Sequence, residues 1–485
     1  MSEGSSSLHP TLLDRIAEAP NVSGPSNAVL PITEKPSTRR RKSCKRKRAP
    51  NDTANVETPS WHTPWNETLG MTQYESKAQR LHDEIVAFVT YILPTTQERR
   101  ARELVIARVR ELARRRFNNA AIDTFGSVAQ NLYLPEGDTD LVITTYHEVD
   151  QSAKKRALFQ LSALIKNSAV AHDVQVIHRA RVPLISFKTV SELGSFKVDI
   201  SLNATDGVKA IPIIREYLDK MPALRYLILI VKSLLSKDRL NSASDGGLSS
   251  YAVTCLVISF LQVNPQNVPT KFIENPMESE SLGRLLMDFL DYYGNTFPYS
   301  TSYISITEGK LLSKESKGWA STTHPENLCI QCPINPDNDV GRPTSKIGHI
   351  RTLFREAHQA LQNYPFSDAN GNILGAILGV SNETLAHRQH LREIVESGSL
   401  ERTLMDTVPL QPTIPRNRHS NAGRSRKSQP YILQSSYGLR DPHLNYRADS
   451  LPIYGGPSNV GPVRSSNRGG RLRDAPDDPR GRRRR

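Results

Sequence analysis

The sequence predicts an α+β fold, in which a small mixed sheet with helices is followed by a mainly helical domain and flanked by basic tails. Three observations predict it. Between residues 118 and 207, short runs rich in apolar and β-branched residues surround one helical stretch. Helical apolar patterns then dominate to about residue 365. The two ends are rich in Ser, Pro, Asn and Gly and lack periodic apolar residues.

The length of 485 residues exceeds one ordinary core and predicts two packed units with tails. We expect a disordered basic leader over residues 1–60 and N-terminal helices over 61–117 that pack on the central domain. The sheet should occupy 118–207, and the helical central domain 208–365. Residues 366–485 are predicted to be a disordered tail rich in Arg, Gly and Pro.

The net charge of +14 is concentrated at the two ends. Lys and Arg outnumber Asp and Glu by 10 to 7 in residues 1–70 and by 17 to 7 in residues 401–485, leaving 36 against 35 between them. Flexible cationic arms attract a phosphate backbone without reading its sequence. Eight of the ten residues from Arg39 to Arg48 are basic, which favours a nuclear import signal over an arm that only touches RNA.

Composition argues against several classes of protein. No stretch reaches the roughly 18 uninterrupted apolar residues of a membrane span, and the N-terminus lacks the layout of a secretion signal. Four cysteines are too few for a disulfide scaffold and suit a reducing compartment. Cys329 and Cys332 form a lone CxxC pair, which favours two ordinary thiols over a zinc site.

Two helices should precede the sheet. A helical stripe of apolar residues begins after Gln79 and ends before Pro94. Thr95 and Glu98, three residues apart, predict a capping box that opens the second helix. Its outer face is rich in Arg, and a solvated surface is favoured there over a contact with RNA.

The first strand of the sheet leads into a pattern that suits phosphate and metal. The apolar run at 121–125 ends in Gly126 and Ser127, and after ten further residues Asp138 and Asp140 enter another apolar run. Side chains alternate along a strand, so the two carboxylates point the same way. Such a pair repels unless a cation neutralises it, and Mg²⁺ prefers oxygen ligands together with substrate phosphates. A Gly-Ser turn before a helix lets backbone N–H groups approach a phosphate.

A third carboxylate comes from a later strand. Residues 196–202 alternate between apolar and polar, with Asp199 on the polar face. Three carboxylates on neighbouring strands can hold two metal ions about 4 Å apart. The combination favours a metal site over ordinary turn and strand-entry residues.

The chain has a Gly-Ser pair, after ten further residues an Asp-x-Asp, and further on an Asp on another strand. This pattern resembles that of the nucleotidyltransferase superfamily that shares the DNA polymerase β fold. Residues 125–143 are similar to the noncanonical poly(A) polymerases, specifically to the nuclear catalytic subunit of TRAMP-type complexes. Residues 197–203, 246–253, 282–294 and 335–342 agree with the same branch. The resemblance covers roughly residues 60–365 and implies a nucleotidyltransferase palm with a poly(A) polymerase-associated central domain.

The resemblance also implies a reaction, namely template-independent transfer of AMP from ATP to RNA 3′ ends with release of pyrophosphate. Two Mg²⁺ or Mn²⁺ ions would serve it. Asp138 and Asp140 would bind both ions, and Asp199 would bind the ion at the 3′-hydroxyl and assist its deprotonation. Gly126 and Ser127 would hold the β- and γ-phosphates.

A nucleotide cleft is implied between the palm and the helical domain. Its expected residues are Asn203, Lys232, Ser250, Tyr251, Asn338 and Arg342. Lys232 would contact the triphosphate, with snorkelling to the surface as the alternative, and Ser250 would bond phosphate, cap a helix or do both. Tyr251 would stack on the base. Asn338 stands where related uridylyltransferases often have histidine, which favours adenine, whereas Cys332 replaces the acidic residue that is usual in the family.

No RNA-recognition module is visible in the sequence. The resemblance therefore implies a nuclear enzyme that works with a zinc-knuckle RNA-binding protein, a DExH RNA helicase and the nuclear exosome. Two alternatives stay open. A terminal uridylyltransferase would keep the same site, and an inactive RNA-binding scaffold would have no use for three unneutralised carboxylates.

Overall fold

A computed structural model describes residues 60–69, 74–146, 150–366 and 372–407. The basic run at Arg39–Arg48 and the chain beyond residue 407 lie outside the described residues. The predictions of a disordered leader, an import signal and a terminal basic arm therefore stay predictions.

The elements of the N-terminal half alternate between helices and short strands. Their bounds are β1 Trp61–His62, α1 Lys77–Ile92, α2 Thr96–Arg116, β2 Ala121–Phe125, α3 Gly126–Ala129, β3 Thr139–Thr144, α4 Gln151–Asn167, β4 Val174–Ile177, β5 Leu184–Lys188 and β6 Lys197–Leu202.

The elements of the C-terminal half are mainly helical. Their bounds are α5 Asp206–Lys220, α6 Ala223–Lys237, α7 Ser250–Val263, α8 Lys271–Glu274, α9 Leu282–Asp291, β7 Ser302–Ser305, β8 Lys310–Ser313, α10 Lys314–Lys317, α11 Ile347–Asn363, β9 Val380–Ser381, α12 Asn382–Glu396 and α13 Ser399–Asp406.

Five strands form one mixed sheet, which we call the palm sheet, in the order β2-β3-β6-β5-β4. β3 and β6 run parallel, and the other neighbouring pairs are antiparallel. Leu141, Ile143 and Ile200 from the central strands pack with Leu158 and Leu161 of α4 in a fully buried core, the palm core. Alternating strands and one amphipathic helix thus form the predicted α+β unit.

The second core, the central core, is built around α6 and α7. Both helices are apolar on nearly every side, as expected of helices that neighbours surround completely. Leu227, Ile230 and Val257 are fully buried in this core, and α1, α9 and α11 pack around it. The predicted fold class is confirmed: a mixed sheet with helices, followed by a mainly helical part.

The predicted capping box at the start of α2 is confirmed. Thr95 Oγ1 accepts a hydrogen bond from Glu98 N at 3.2 Å, and Glu98 Oε2 accepts one from Thr95 N at 2.8 Å. Because the box satisfies two donors at the helix end, it fixes where α2 begins after the break at Pro94.

The structure corrects the prediction of a disordered tail from residue 366, because residues 372–407 are folded. In this C-terminal segment, β9 pairs antiparallel with β1, with Ser381 opposite Trp61. Leu374 is buried in the central core, whereas Leu391 and Leu400 are buried in the palm core. The segment therefore contributes to both cores.

Polar anchors hold the C-terminal segment in place. Glu84 on α1, which is fully buried, accepts hydrogen bonds from the N–H groups of Ile373 and Leu374. Arg388 on α12 forms a buried ion pair of 2.7 Å with Glu98. These partners lie almost 300 residues apart in sequence, so a local pattern of apolar residues could not reveal them.

Within the described ranges, no helix combines the length and the apolar character needed to cross a membrane. Cys255, Cys329 and Cys332 are free and buried.

Candidate active site

Three carboxylates meet at one edge of the palm sheet. Asp140 on β3 lies directly opposite Asp199 on β6 in the parallel register, where neighbouring strands are about 4.8 Å apart. Asp138 stands immediately before β3, which begins at Thr139. The structure thus brings together the three acidic residues that the sequence singled out.

Two of these carboxyl groups, those of Asp140 and Asp199, have a raised pKa. Burial raises the pKa of Asp140 to about 7, with further contributions from the charges of Asp199 and Asp138. Burial also raises the pKa of Asp199, opposed by a hydrogen bond from Ser186. Negative charge at this edge is therefore poorly compensated, and a cation would relieve it.

Lys197 provides part of that compensation. Its Nζ donates to Asp138 Oδ2 at 2.6 Å, and both side chains are about half exposed. Burial lowers the pKa of Lys197, but the hydrogen bond and charge of Asp138 outweigh burial and raise it overall. Asp138 is thus turned to Lys197, and in the part of the chain that the structure describes no three His, Cys, Asp or Glu side chains are preassembled around a metal position.

The chemistry of this edge nevertheless fits a hard divalent ion. Asp199 Oδ1 is buried and finds no hydrogen-bond partner among the described residues, an arrangement that is costly for a carboxylate oxygen. All three side chains offer oxygen, which is the ligand type that Mg²⁺ and Mn²⁺ prefer. Asp138, Asp140 and Asp199 are the residues that would hold such ions.

Gly126 places the turn after β2 directly against Asp140. Its φ of +66° lies in the left-handed region, and a Cβ there would come within 2.6 Å of Asp140 Oδ2. Only glycine combines this backbone conformation with this close approach. Ser127 follows in the single turn of α3, and its carbonyl accepts a hydrogen bond from Leu132 N at 2.9 Å.

Lys232 reaches the palm from the buried face of α6. Its Nζ donates to the Leu132 carbonyl at 2.5 Å. Burial lowers the pKa of Lys232 to about 8, opposed by the charges of Asp140 and Asp138. The side chain is 8% exposed, so the snorkelling alternative is wrong and the ammonium faces the acidic edge.

Asn203 directly follows β6, and both the oxygen and the nitrogen of its side-chain amide form hydrogen bonds with Thr145. Its Oδ1 accepts from Thr145 N at 2.8 Å, and its Nδ2 donates to Thr145 Oγ1 at 2.9 Å. In this arrangement Asn203 links the ends of β3 and β6, and its predicted contact with nucleotide stays a prediction.

Ser250 and Tyr251 open α7, but Ser249 caps it. Ser249 Oγ accepts from Ala252 N at 3.1 Å, so the N-cap alternative for Ser250 is wrong and its hydroxyl lies exposed at the helix start. The ring of Tyr251 packs against the central core. Burial raises the pKa of the Tyr251 hydroxyl, and the neighbouring Cys255 and Cys332 raise it further. Cys332 therefore lies beside this tyrosine.

The loop at 335–342 is tied to the palm. Asn338 Oδ1 accepts from Arg181 Nη1 at 2.6 Å, and Arg181 lies between β4 and β5. Asp339 shapes the loop by accepting from the N–H groups of Ile330 and Gly341, each at 2.8 Å. Arg342 follows in an exposed position.

Sequence reasoning missed Lys197 and Arg181. Lys197 lies two residues before Asp199 in an alternating strand and so shares its face, which was a usable signal. Nothing local to Arg181 indicates that it meets a residue 157 positions later.

Two family models match the chain. The model of the central palm domain of mitochondrial-like poly(A) RNA polymerases matches residues 81–219. The model of the Cid1 family of poly A polymerases matches residues 281–338.

Similar full-length proteins and a solved structure agree with these models. Poly(A) RNA polymerase CID14 of Cryptococcus neoformans is 35% identical over 373 residues, which is 72% of this chain and 48% of that protein. An inactive noncanonical poly(A) RNA polymerase of Drosophila melanogaster, Trf4-2, is 31% identical over 64% of this chain and 75% of that protein. The polymerase core of TRAMP, an RNA surveillance complex, aligns with a TM-score of 0.57 and 30% identity, over 65% of this chain and 98% of that one.

The chain spans about half the length of the first curated relatives that it matches, from 48% to 54%.

Proposed function

We propose, from the premise that this chain belongs to the family of noncanonical poly(A) RNA polymerases, that it is a polynucleotide adenylyltransferase. It adds AMP from ATP to RNA 3′ ends without a template and releases pyrophosphate. The observation that carries the proposal is the acidic edge of the palm sheet, where Asp140 faces Asp199, Asp138 lies two residues away and Gly126 approaches Asp140.

The chain's own residues have distinct roles in this reaction. Two divalent ions, Mg²⁺ or Mn²⁺, would lower the pKa of the RNA 3′-hydroxyl and neutralise charge on the departing pyrophosphate. Asp138 and Asp140 would hold these ions, and Asp199 would hold the ion at the 3′-hydroxyl and assist removal of the hydroxyl proton. The turn at Gly126 and Ser127 offers N–H groups to the β- and γ-phosphates. Lys232 adds a buried positive charge beside the acids, where it suits phosphate oxygens.

The nucleoside contacts are proposed with ATP as substrate. Tyr251 offers an aromatic ring at the start of α7, and Ser250 an exposed hydroxyl. Asn338 and Arg342 belong to the loop that would read the base, and Asn203 would complete the cleft. The side-chain oxygen of Asn338 accepts from Arg181, and its N–H₂ group would donate to an acceptor on the base.

A single assay tests the reaction and its nearest alternative. The purified full chain is incubated with Mg²⁺, an oligo(A) primer and each ribonucleoside triphosphate separately. We expect extension with ATP, and preferential extension with UTP would instead establish a terminal uridylyltransferase.

The inactive-scaffold alternative has a specific precedent in the family, because one relative is an inactive enzyme. Asp138→Ala and Asp199→Ala are expected to abolish incorporation. The control Asp123→Ala removes an exposed acid from β2 of the same sheet and should leave nucleotide incorporation unchanged. Incorporation that survives Asp138→Ala would contradict the assigned active site.

We further propose that the enzyme acts in the nucleus and marks RNAs for processing or decay by the exosome. A zinc-knuckle RNA-binding protein and a DExH RNA helicase would be its partners. The basic run at Arg39–Arg48 and the likeness to the TRAMP polymerase core support this setting. Efficient, processive tailing of bare RNA by the purified chain alone would count against dependence on partners.

A further inference from the structure

A buried arginine on α2, Arg102, lies behind the loop that carries Asp138. The side chain sits on the inward face of the helix, and the residue is only 4% exposed. A guanidinium at such a position loses its hydration, so it needs several acceptors to be stable there. Those acceptors show what the residue does.

The guanidinium donates three hydrogen bonds to residues 135–139, which lead from the loop after α3 into β3. Nη1 donates to the Gly137 carbonyl at 2.9 Å and to Thr139 Oγ1 at 2.6 Å, and Nη2 donates to the Pro135 carbonyl at 3.2 Å. Gly137 and Thr139 are the two neighbours of Asp138. Arg102 thus holds the chain on both sides of this carboxylate.

Two aromatic rings enclose the same guanidinium. Its Cζ lies 4.6 Å from the ring centroid of Tyr133 and 4.7 Å from that of Phe196. Tyr133 belongs to the Asp138 loop, whereas Phe196 immediately precedes β6, the strand of Asp199. The arginine therefore connects the two chain segments whose acids must meet.

The planar fork of arginine is suited to this task. One flat group with several fixed N–H directions can bond three acceptors while aromatic rings pack against it. A lysine at the same position would keep the charge but could not reproduce this arrangement. Without the fork, the buried Pro135 carbonyl, the partly buried Gly137 carbonyl and the buried Thr139 hydroxyl would lose their donor.

We propose that Arg102 is a positioning residue that fixes Asp138 relative to Asp140 and Asp199 and thereby sets the affinity of the acidic edge for divalent ions. The proposal rests on the proposed function, because it concerns the same three carboxylates. Outer residues that orient metal ligands typically contribute about 10- to 100-fold to metal affinity.

The test measures binding of Mn²⁺ alone to the full chain, by electron paramagnetic resonance of the free ion, together with thermal unfolding. Arg102→Lys is expected to weaken Mn²⁺ binding about 10-fold or more in protein that is still folded. Thr139→Val removes a single acceptor with little change in shape and should weaken binding in the same direction, by less. Arg116→Lys is the matched control, since Arg116 lies on the same helix, bonds Gln160 and contacts the ring of Phe117, but is exposed.

The outcomes separate this inference from the proposed function. Mn²⁺ affinity that is unchanged per folded molecule in both variants would make Arg102 merely structural and overturn the proposal, whether or not stability falls. Wild-type protein that neither binds Mn²⁺ more tightly than Asp138→Asn nor incorporates nucleotide would overturn the proposed function as well. Restoration of Arg102→Lys incorporation at high Mn²⁺, with an unchanged KM for ATP, would support positioning.

Discussion

Gly126 carries two separate constraints, one in its own backbone and one in its neighbour. Its φ of +66° strains any residue with a Cβ, and that Cβ would also press on Asp140 Oδ2. Gly398 has the same φ of +66°, yet among the residues the structure describes no atom lies within 4 Å of a Cβ built there. Substitution of Gly398 would cause backbone strain alone, whereas substitution of Gly126 would cause the same strain and also displace the Asp140 carboxylate.

We therefore expect Gly126→Ala and Gly398→Ala each to lose roughly 1–2 kcal/mol of unfolding free energy through the left-handed backbone. Only Gly126→Ala should also lose nucleotide incorporation, because Asp140 has to move. Urea unfolding and single-nucleotide extension assays on both variants test this. Equal activity of the two variants would show that the contact with Asp140 is unimportant.

At the scale of single residues, the sequence predicted which acidic side chains form the site, but it did not predict the hydrogen bonds of the residues around them. Two acids two residues apart, a third on an alternating strand and a Gly-Ser turn were enough to place Asp138, Asp140 and Asp199 together. The alternative that Ser250 caps α7 is one residue too late, because Ser249 and Ser250 are equally good candidates by type. Asn203 was read as a nucleotide contact, but its bonds to Thr145 depend on how β3 and β6 end.

Among the elements, α12 is held by an ion pair that spans the chain. Arg388 bonds Glu98, and it also donates to the carbonyls of Tyr91 and Leu93, at the end of α1 and just beyond it. The side chains of Arg388 and Glu98 are 10% and 6% exposed. A charge left alone in such a place is costly.

Arg388→Met should accordingly destabilise the protein by about 3–5 kcal/mol, because Glu98 and two carbonyls lose their donor. Adding Glu98→Gln should recover part of the loss, since no unpaired charge then remains. Chemical denaturation of the two single variants and the double variant measures the coupling. Purely additive losses would be inconsistent with a buried pair.

His82 on α1 links stability to pH. Its Nδ1 accepts a hydrogen bond from Leu282 N at 3.2 Å, and burial lowers the pKa of His82 to about 4, opposed by the charge of Glu280. The unfolded chain binds the proton near pH 6.5, so stability is full above that pH and falls as pH drops from 6.5 towards 4.

We expect His82→Asn, which keeps an acceptor but does not titrate, to remove this dependence. The difference in unfolding free energy between wild type and variant should shrink by about 2 kcal/mol from pH 7.5 to pH 5.0. Urea titrations at the two pH values provide the measurement. A difference that stays constant would mean that His82 is protonated in the folded state.

At the scale of elements, helices and strands with a regular apolar pattern could be predicted from the sequence, whereas the mostly polar helix α12 could not. The strand at Lys197–Leu202 follows directly from the alternation of apolar and polar residues, and the helix at Lys77–Ile92 from a helical stripe that ends before Pro94. α12, by contrast, has few apolar residues, and Leu391 and Ile394 are the ones it buries in the palm core. Its stability comes from anchors on distant elements, which composition does not reveal.

For the whole molecule, the C-terminal segment decides whether the two cores are complete. It places Ile373 and Val380 in the central core and Leu391 and Leu400 in the palm core. A chain that ends at residue 371 should therefore be insoluble or should melt far below wild type, because both cores lose buried side chains.

A chain that ends at residue 411 is the control and should keep its melting temperature. Circular dichroism and thermal unfolding of the two truncated proteins provide the comparison. A stable, cooperatively folding 1–371 fragment would show that the segment is dispensable.

The interleaving of the two cores has a consequence for biosynthesis. β1 near the beginning of the described residues pairs with β9 near their end, and the palm obtains buried residues from positions 391–400. A ribosome delivers the chain from the N-terminus, so the palm, although its sheet is finished by residue 202, stays incomplete until some 200 further residues have emerged. Completion of the palm core therefore waits until residues 391–400 have left the ribosome, and during that interval the nascent chain presents apolar surface that chaperones can bind.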